Sequence, residues 1–518
     1  MAPQPQHENG NRDGHGHLET IEPMPEETTP LLDERDENAS RPSPSPLYPY
    51  ALIFVVLLII VSDVGGSLLD TPEVRLLEMA VCRDYYRLHD PSVIGPPPLS
   101  YVDENLCKER DIQTSLVYLR TKKGLLGLIP GILLTIPYGR LSDRHGRKPI
   151  LFLGILGQVL SYFWMLFICY FHQTFDTRLV LISPAFLLIG GGSRVLSAAV
   201  YSVIVDVTPE EMRTTAFYVL GAGAIICDVI MAPIGSWLLA KDLWLPFRFS
   251  SIILLFAVLM TLMIPETLPV EKRASSLEIP ESPPTTNADP ERQNIWQWSF
   301  NSLRDYVNSI TSALGIAWAT RELRLCLLVV FLFTFNVSSG VISISYASTA
   351  LDWPVWRVGY LISVNGMMTL GILIALAFLS QALERRLGVR PLALDVNVVR
   401  VSSIVLGVAG LLMGLPYKWT IIIGYILSGG GYGLYQAMQG LLASYGDKTH
   451  TGQVYATASL VDLVARMAGA LTYSRLFEWG WDHFPWWGKG LPFLVVSLFN
   501  FLLSLVAFWL PTKVPTRA

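Results

Sequence analysis

Long apolar runs separated by short polar interruptions fill the chain from residue 48 onward. They lie near 48–69, 122–141, 149–171, 179–205, 214–240, 246–264, 323–347, 356–381, 398–416, 419–444, 453–478 and 489–510. Each approaches or exceeds the roughly 20 residues that a helix needs to cross a hydrocarbon core. The runs are continuous and do not alternate, as strands of a lipid-facing barrel would. A helix also satisfies its backbone within one segment. The pattern predicts an all-α integral membrane protein with 12 transmembrane helices. The expected divisions are a disordered tail at 1–46, a six-helix bundle at 47–264 with a loop at 70–121, a linker at 265–322, a second six-helix bundle at 323–511 and a tail at 512–518.

The two bundles look like repeats. Leu141, Arg144, Gly146 and Pro149 align with Leu383, Arg386, Gly388 and Pro391. The glycine run at Gly190 aligns with the one at Gly429, and both offsets are about 240 residues. Two matches in register imply two pseudo-symmetric, related six-helix halves, the parallel-repeat design of many secondary transporters.

Composition agrees with a membrane chain. Hydrophobic residues make up 51% and charged residues 15%, against about a quarter charged in soluble chains. The net charge is −4 and no basic stripe is present, which leaves no case for nucleic acid. Short-loop cations concentrate between the second and third runs (Arg140, Arg144, Arg147, Lys148) and between the eighth and ninth (Arg385, Arg386, Arg390). By the positive-inside rule these loops, both termini and the linker are cytosolic. No cleavable signal peptide is evident, so the first run is expected to serve as the insertion signal.

The tail is rich in Pro, Glu, Ser and Thr. Within it Glu27 precedes Leu31 and Leu32, resembling an acidic dileucine sorting signal. The expected location is the plasma membrane or a vacuole- or lysosome-like membrane. In the linker, 270–293 reads as flexible. Trp296, Phe300, Leu303, Val307, Ile310 and Leu314 give 294–318 the spacing of an amphipathic helix, which lies at the membrane surface or docks against the helical bundle.

Ionised residues within apolar runs are costly, about 2.5–3.5 kcal/mol each on insertion scales, and they usually pair or line a cavity. The candidates are Asp63, Arg194, Asp228, Asp462 and Arg466. Asp462 and Arg466 are four residues apart and suit mutual neutralisation on one helix face. Arg194 has no partner in its own run, and Tyr201 shares its face. Arg194 and Asp228 are expected to face one another across the first bundle, with protonation of Asp228 freeing Arg194 for an anionic solute group. Asn336, Gln436 and Gln439 are polar candidates in the seventh and tenth runs. Of five cysteines, Cys82 and Cys107 flank the first loop, where a disulfide or two free thiols both fit. No Cys/His spacing suggests a metal, no cofactor motif is present, and no nucleophile–base set suggests an enzyme.

The turn Gly139, Leu141, Asp143, Arg144, Gly146, Arg147 and Lys148 resembles the signature loop of the major facilitator superfamily. The resemblance implies alternating access by two six-helix bundles. It also implies a latch in which Asp143 faces the start of the eleventh helix and Arg147 pairs with Asp206. Arg194 stands where many members carry an arginine associated with proton coupling. The fifth run, ending Ala232-Pro233-Ile234-Gly235, is a degenerate form of the exporters' antiporter motif, interrupted by Asp228. The first loop resembles that of the proton-coupled folate transporter group and its fungal relatives, which carry a cysteine in each of the two places. The expected function is a monomeric, proton-coupled secondary transporter of a small organic solute. Its partners would be that solute, protons and the lipid bilayer. Efflux of a secondary metabolite or xenobiotic is the alternative, and a non-transporting membrane sensor is the alternative of another class. A proton entering down 100 mV supplies about 2.3 kcal/mol, enough for roughly fifty-fold accumulation.

Overall fold

The structure is a computed structural model that describes residues 48–97, 99–208, 210–266, 320–387, 391–445, 451–484 and 487–511. The dileucine-like motif, the linker at 270–293 and the expected amphipathic helix at 294–318 lie outside these residues. Among the described residues the regular structure is entirely helical, as a chain that must satisfy its backbone in lipid requires. All twelve apolar runs fall on helices. Nine helices are long and apolar enough to cross a membrane among the described residues, or ten with the bent pair Arg110–Thr135 and Pro137–His145. The tenth and eleventh runs escape that test for physical reasons. The tenth is broken into Lys418–Gly429 and Gly433–Tyr445. The eleventh, Thr451–His483, carries Asp462, Arg466, Arg475, Glu478 and Asp482.

The duplicated halves share their breaks. The first span continues from Tyr48–Ser67 into Asp70–His89, and the seventh from Arg321–Val337 into Gly340–Leu351. The fourth passes from a tight 3₁₀ helix, Thr177–Ile189, into Gly192–Val207. Its break at the glycine run corresponds to the break of the tenth span at Gly430. Gly191 and Gly192 adopt φ of +75° and +72°, a region closed to most side chains. The remaining spans are Arg110–His145 (second), Arg147–Tyr170 (third), Glu210–Lys241 (fifth), Leu245–Met263 (sixth), Val355–Leu387 (eighth), Pro391–Gly414 (ninth) and Leu491–Phe508 (twelfth).

The loop expected at 70–121 needs correction. Only about Asp90–Glu109 connects helices; the flanks belong to the first and second spans. The charges that made this stretch read as a loop are packed against each other. Arg75 Nη1 lies 3.0 Å from Glu78 Oε2. Lys108 Nζ lies 2.7 Å from Glu78 Oε1 and 3.0 Å from Glu104 Oε1. Lys123 Nζ lies 2.5 Å from Glu73 Oε1. Cys82 and Cys107, both fully buried, are joined in a disulfide with Cα atoms 5.4 Å apart.

The hydrophobic core is continuous between the halves at one end only. Near the disulfide, Leu76, Leu77 and Val117 of the first half and Phe335, Tyr346 and Phe477 of the second belong to one cluster. At the other end, where the Gly139–Lys148 turn sits, each half keeps its own cluster. One is built around Ile150 and Val203, the other around Val329 and Leu441. Polar contacts follow the same division. At the disulfide end the second and eleventh spans are tied by Arg110 to Asp482, Tyr118 OH to Glu478 (2.5 Å) and Thr121 Oγ1 to Ser474 Oγ (2.6 Å). The Val355 amide, at the start of the eighth span, donates to Glu104 Oε1 at 2.6 Å. Small residues allow the fifth and eighth spans to touch: a Cβ at Gly359 would strike Ser236.

His172, in the connection between the third and fourth spans, is 4% exposed. Its Nδ1 lies 3.1 Å from the Tyr170 carbonyl. Burial and the nearby Arg83 and Arg87 cations push its imidazole below the ordinary histidine range. The unfolded chain therefore binds the extra proton, and stability falls as pH drops through the unfolded value of about 6.5. Melting temperature in detergent should decline from about pH 7 to pH 5 in the wild type, and His172→Gln should flatten that decline.

Candidate functional site

A cavity of about 410 Å³ lies between the two halves. It is lined by Leu128 and Arg194 from the first half, and by Gln439, Tyr455, Asp462 and Arg466 among others from the second. The glycine break of the fourth span puts Arg194 near the start of a fresh helix, aimed at the second half. Gly131 of the second span makes room for it, since a Cβ there would come within 3.2 Å of Arg194 Cδ. Arg194 Nη2 lies 3.5 Å from Asp462 Oδ2. Arg466, one turn along from Asp462, approaches the same carboxylate at 3.0 Å (Nε to Oδ2) and 3.2 Å (Nη2 to Oδ1). Thr334 of the seventh span donates its hydroxyl to Asp462 Oδ1 at 3.0 Å. One carboxylate thus faces two guanidiniums, and a positive charge is left over inside a water-accessible chamber.

The expected pairing of Arg194 with Asp228 is therefore corrected: the ion pair of Arg194 crosses the halves to Asp462. Asp228 accepts a hydrogen bond from Ser67 of the first span instead. Asp63, one turn before Ser67, is close enough to Asp228 for their charges to repel, and Asp70 interacts with Asp228 in the same way. The acids of the first and fifth spans so form a group of their own. Tyr201 is 49% exposed and does not line the chamber. Gln439 lines it, whereas Gln436, on the neighbouring face, is exposed and does not. Asn336 is buried in a separate cavity within the second half, where its Oδ1 accepts from Tyr473 OH at 2.8 Å.

At the opposite end from the disulfide, Gly146 adopts φ +109° and separates the second and third spans. Arg147 is the hub of this turn. Its Nε lies 3.0 Å from Asp206 Oδ2 at the end of the fourth span, and its Nη1 lies 2.7 Å from Asp143 and 3.0 Å from Ser142 Oγ. Residues 446–450, which lead into the start of the eleventh span that Asp143 is expected to face, lie outside the described residues. Arg144 and Gly139 are exposed. The carboxylate of Glu266 accepts from the amides of Arg147 (2.8 Å) and Lys148 (3.3 Å). It caps the third span where unpaired N–H groups and the helix dipole favour an anion.

Residues 123–470 match the family profile described as Major Facilitator Superfamily. The chain belongs to the Major Facilitator Superfamily. Among curated relatives, the chain is 29% identical to the MFS efflux pump atnC of Emericella nidulans, over 91% of this chain and 90% of that protein. It is 27% identical to the MFS transporter SAT21 of Stachybotrys chartarum, over 83% and 90%. Among solved structures it resembles a D-xylose–proton symporter, with TM-score 0.60 and 12% identity over 90% of this chain and 100% of that one. It also resembles the human organic anion transporter MFSD10, with TM-score 0.55 and 20% identity over 89% and 100%. These likenesses establish the fold of this major facilitator protein.

Two groups of residues in this major facilitator chain escaped the sequence reading. Glu266 follows the sixth span directly and reads as the first residues of a linker; its position two residues past an apolar run is the only local signal. Thr334 and Glu478 are ordinary helix residues whose roles depend on partners 128 and 360 positions away. Gly146→Ala should be the most damaging change in the turn. The backbone there is nearly closed to L-residues, at a cost of about 1–3 kcal/mol, and the added Cβ would collide with the Glu266 carboxylate. The expected outcome is a lower melting temperature than Gly139→Ala produces, since Gly139 faces open space.

Proposed function

We propose that this major facilitator protein exports a small organic solute by alternating access, exchanging it for protons, with Arg194 and Arg466 receiving an anionic or strongly polar group of the solute. The observation that carries the reading is the ion pair between Arg194 and Asp462, which joins the two halves inside a chamber lined by both. A solute anion drawn to Arg194 competes with Asp462. The bridge between halves then weakens when solute binds, which couples occupancy to rocking of one half against the other. Export is favoured because the curated relatives named above include an efflux pump, and a second relative is called efflux pump ustT, of Aspergillus flavus.

The proton site in this reading is the carboxylate pair Asp63–Asp228. Ser67, one turn after Asp63, donates its hydroxyl to Asp228 and so joins the first and fifth spans at this group of acids. With the basic turn on the cytosolic side, the sealed disulfide end is extracytosolic and the chamber is poised towards the cytosol. Arg147, held by Asp143 and Asp206, ties the ends of the second, third and fourth spans together, so that this end of the first half moves as a unit.

Efflux from cells or proteoliposomes, measured for a panel of anionic and polar organic solutes with and without a protonophore, tests the reading. Wild type should lose accumulation against a gradient when the protonophore is added. Asp228→Asn should transport with little pH dependence, and Arg194→Ala should lose transport at least tenfold. Transport by Asp228→Asn with the wild-type pH profile would overturn the proton assignment. Full activity of Arg194→Ala would overturn the chamber assignment.

A further inference from the structure

A second cavity of about 150 Å³ lies inside the second half, among the seventh, eighth, ninth, tenth and twelfth spans. Its lining is mostly apolar, including Phe333, Met413 and Phe493. Three amide side chains sit within that lining, and two of them are buried, Asn336 at 4% and Asn500 at 2% exposure. Each uses one end of its amide on the protein. Asn336 Oδ1 accepts from Tyr473 OH, and Asn500 Nδ2 donates to the Val496 carbonyl at 2.9 Å. The other ends, the donor Asn336 Nδ2 and the acceptor Asn500 Oδ1, have no hydrogen-bond partner. Leaving either one unmatched in a buried site is costly, so such groups normally find a partner. A third amide, Asn365, donates from its Nδ2 to the Tyr425 carbonyl (2.7 Å) and to Ser428 Oγ (2.8 Å).

The cavity is placed to meet the solute. Ser339, Gly340 and Ser343, at the break of the seventh span, are part of its lining. Arg120 of the first half reaches the Val341 carbonyl beside them at 2.6 Å, so this side faces the interface between the halves. Phe333 lines the cavity and Tyr435 lines the central chamber, and their rings lie 6.3 Å apart. The two cavities are neighbours. Ligand pockets that enclose a whole drug-sized molecule are about 300–1,000 Å³, so this smaller one suits a part of a molecule.

We infer that this cavity is a subsite for an uncharged carboxamide or lactam group of the transported solute. The solute carbonyl accepts from Asn336 Nδ2, and the solute N–H donates to Asn500 Oδ1. An amide presents an acceptor and a donor on adjacent atoms, which complements the buried, unmatched donor Asn336 Nδ2 and acceptor Asn500 Oδ1. A carboxylate fits poorly, because no cationic side chain lines the cavity and it has no N–H for Asn500. This inference rests on the reading of the chain as a solute transporter and adds a substrate feature to it.

Thermal melting of the purified full chain in detergent tests it with 2-pyrrolidone as probe. N-methyl-2-pyrrolidone lacks the N–H, and cyclopentanol lacks the amide. Wild type should be stabilised by 2-pyrrolidone at concentrations about tenfold lower than by either control, the expected effect of one unmatched buried acceptor. Asn500→Leu, nearly the same size, should erase the discrimination between 2-pyrrolidone and its N-methyl form. Should Asn500→Leu not fold, Asn336→Asp, which keeps an oxygen for Tyr473, tests the carbonyl contact instead and should weaken both lactam probes at least tenfold. Equal stabilisation by 2-pyrrolidone and either control in wild type overturns the inference, as does discrimination that survives in Asn500→Leu or lactam stabilisation left unchanged by Asn336→Asp. The melt needs no transport. A protein that discriminates lactams but moves no solute would sink the transporter reading alone, and one that moves solutes without discrimination would sink the subsite alone.

Discussion

Asp462 holds one negative charge between Arg194 of one half and Arg466 of its own helix, with Thr334 on a remaining lone pair. Removing water from such a group is expensive, and an unpaired charge at this depth would be more expensive still. The chain keeps the charges by matching them across the seam between the duplicated halves, where they border a water-accessible cavity and avoid acyl chains. The glycine break that restarts the fourth helix, the space left by Gly131 and the length of the eleventh helix all serve that meeting.

The seam is built unevenly. At the disulfide end one apolar cluster runs through both halves, and polar side chains of the second and eleventh spans bond to each other. Towards the basic turn each half has a core of its own. A joint that is solid at one end and divided at the other can pivot. The packed arrays within each half resist deformation, so the motion available is one of rigid bodies. The strap of Glu78, Glu104, Lys108 and the disulfide fixes the first-half loop against the start of the eighth span. It belongs to the solid end.

Broken helices recur at matching places in both halves, at residues 68–69 and 338–339 and at the glycine runs. Each break frees backbone groups that lipid could not satisfy, so breaks are tolerated where protein or water covers them. Here the breaks at 338–339 and at the glycine runs border the chamber or the smaller amide-lined cavity, and polar residues collect beside all of the breaks. Arg194 follows one break, Asn336 precedes another, and Ser67 with Asp70 brackets a third.

Hydrophobic periodicity and length determined the helices, and duplication of Leu141, Arg144, Gly146 and Pro149 determined the two-bundle plan, because both depend on local composition and on register along one chain. The seven-position turn was legible as a motif for the same reason. The polar flanks of residues 70–121 were misleading, since a charge matched by a buried partner reads in sequence like a charge in water. The partner of Arg194 could not be read at all. Asp228 and Asp462 are equally plausible acids in apolar runs, 34 and 268 residues away, and sequence carries no distance between helices. Only packing of the halves brought Asp462 to the guanidinium and left Asp228 with Ser67, because the choice of ion pair depends on how whole helices rotate and dock, a sum over hundreds of contacts that no single stretch of chain contains.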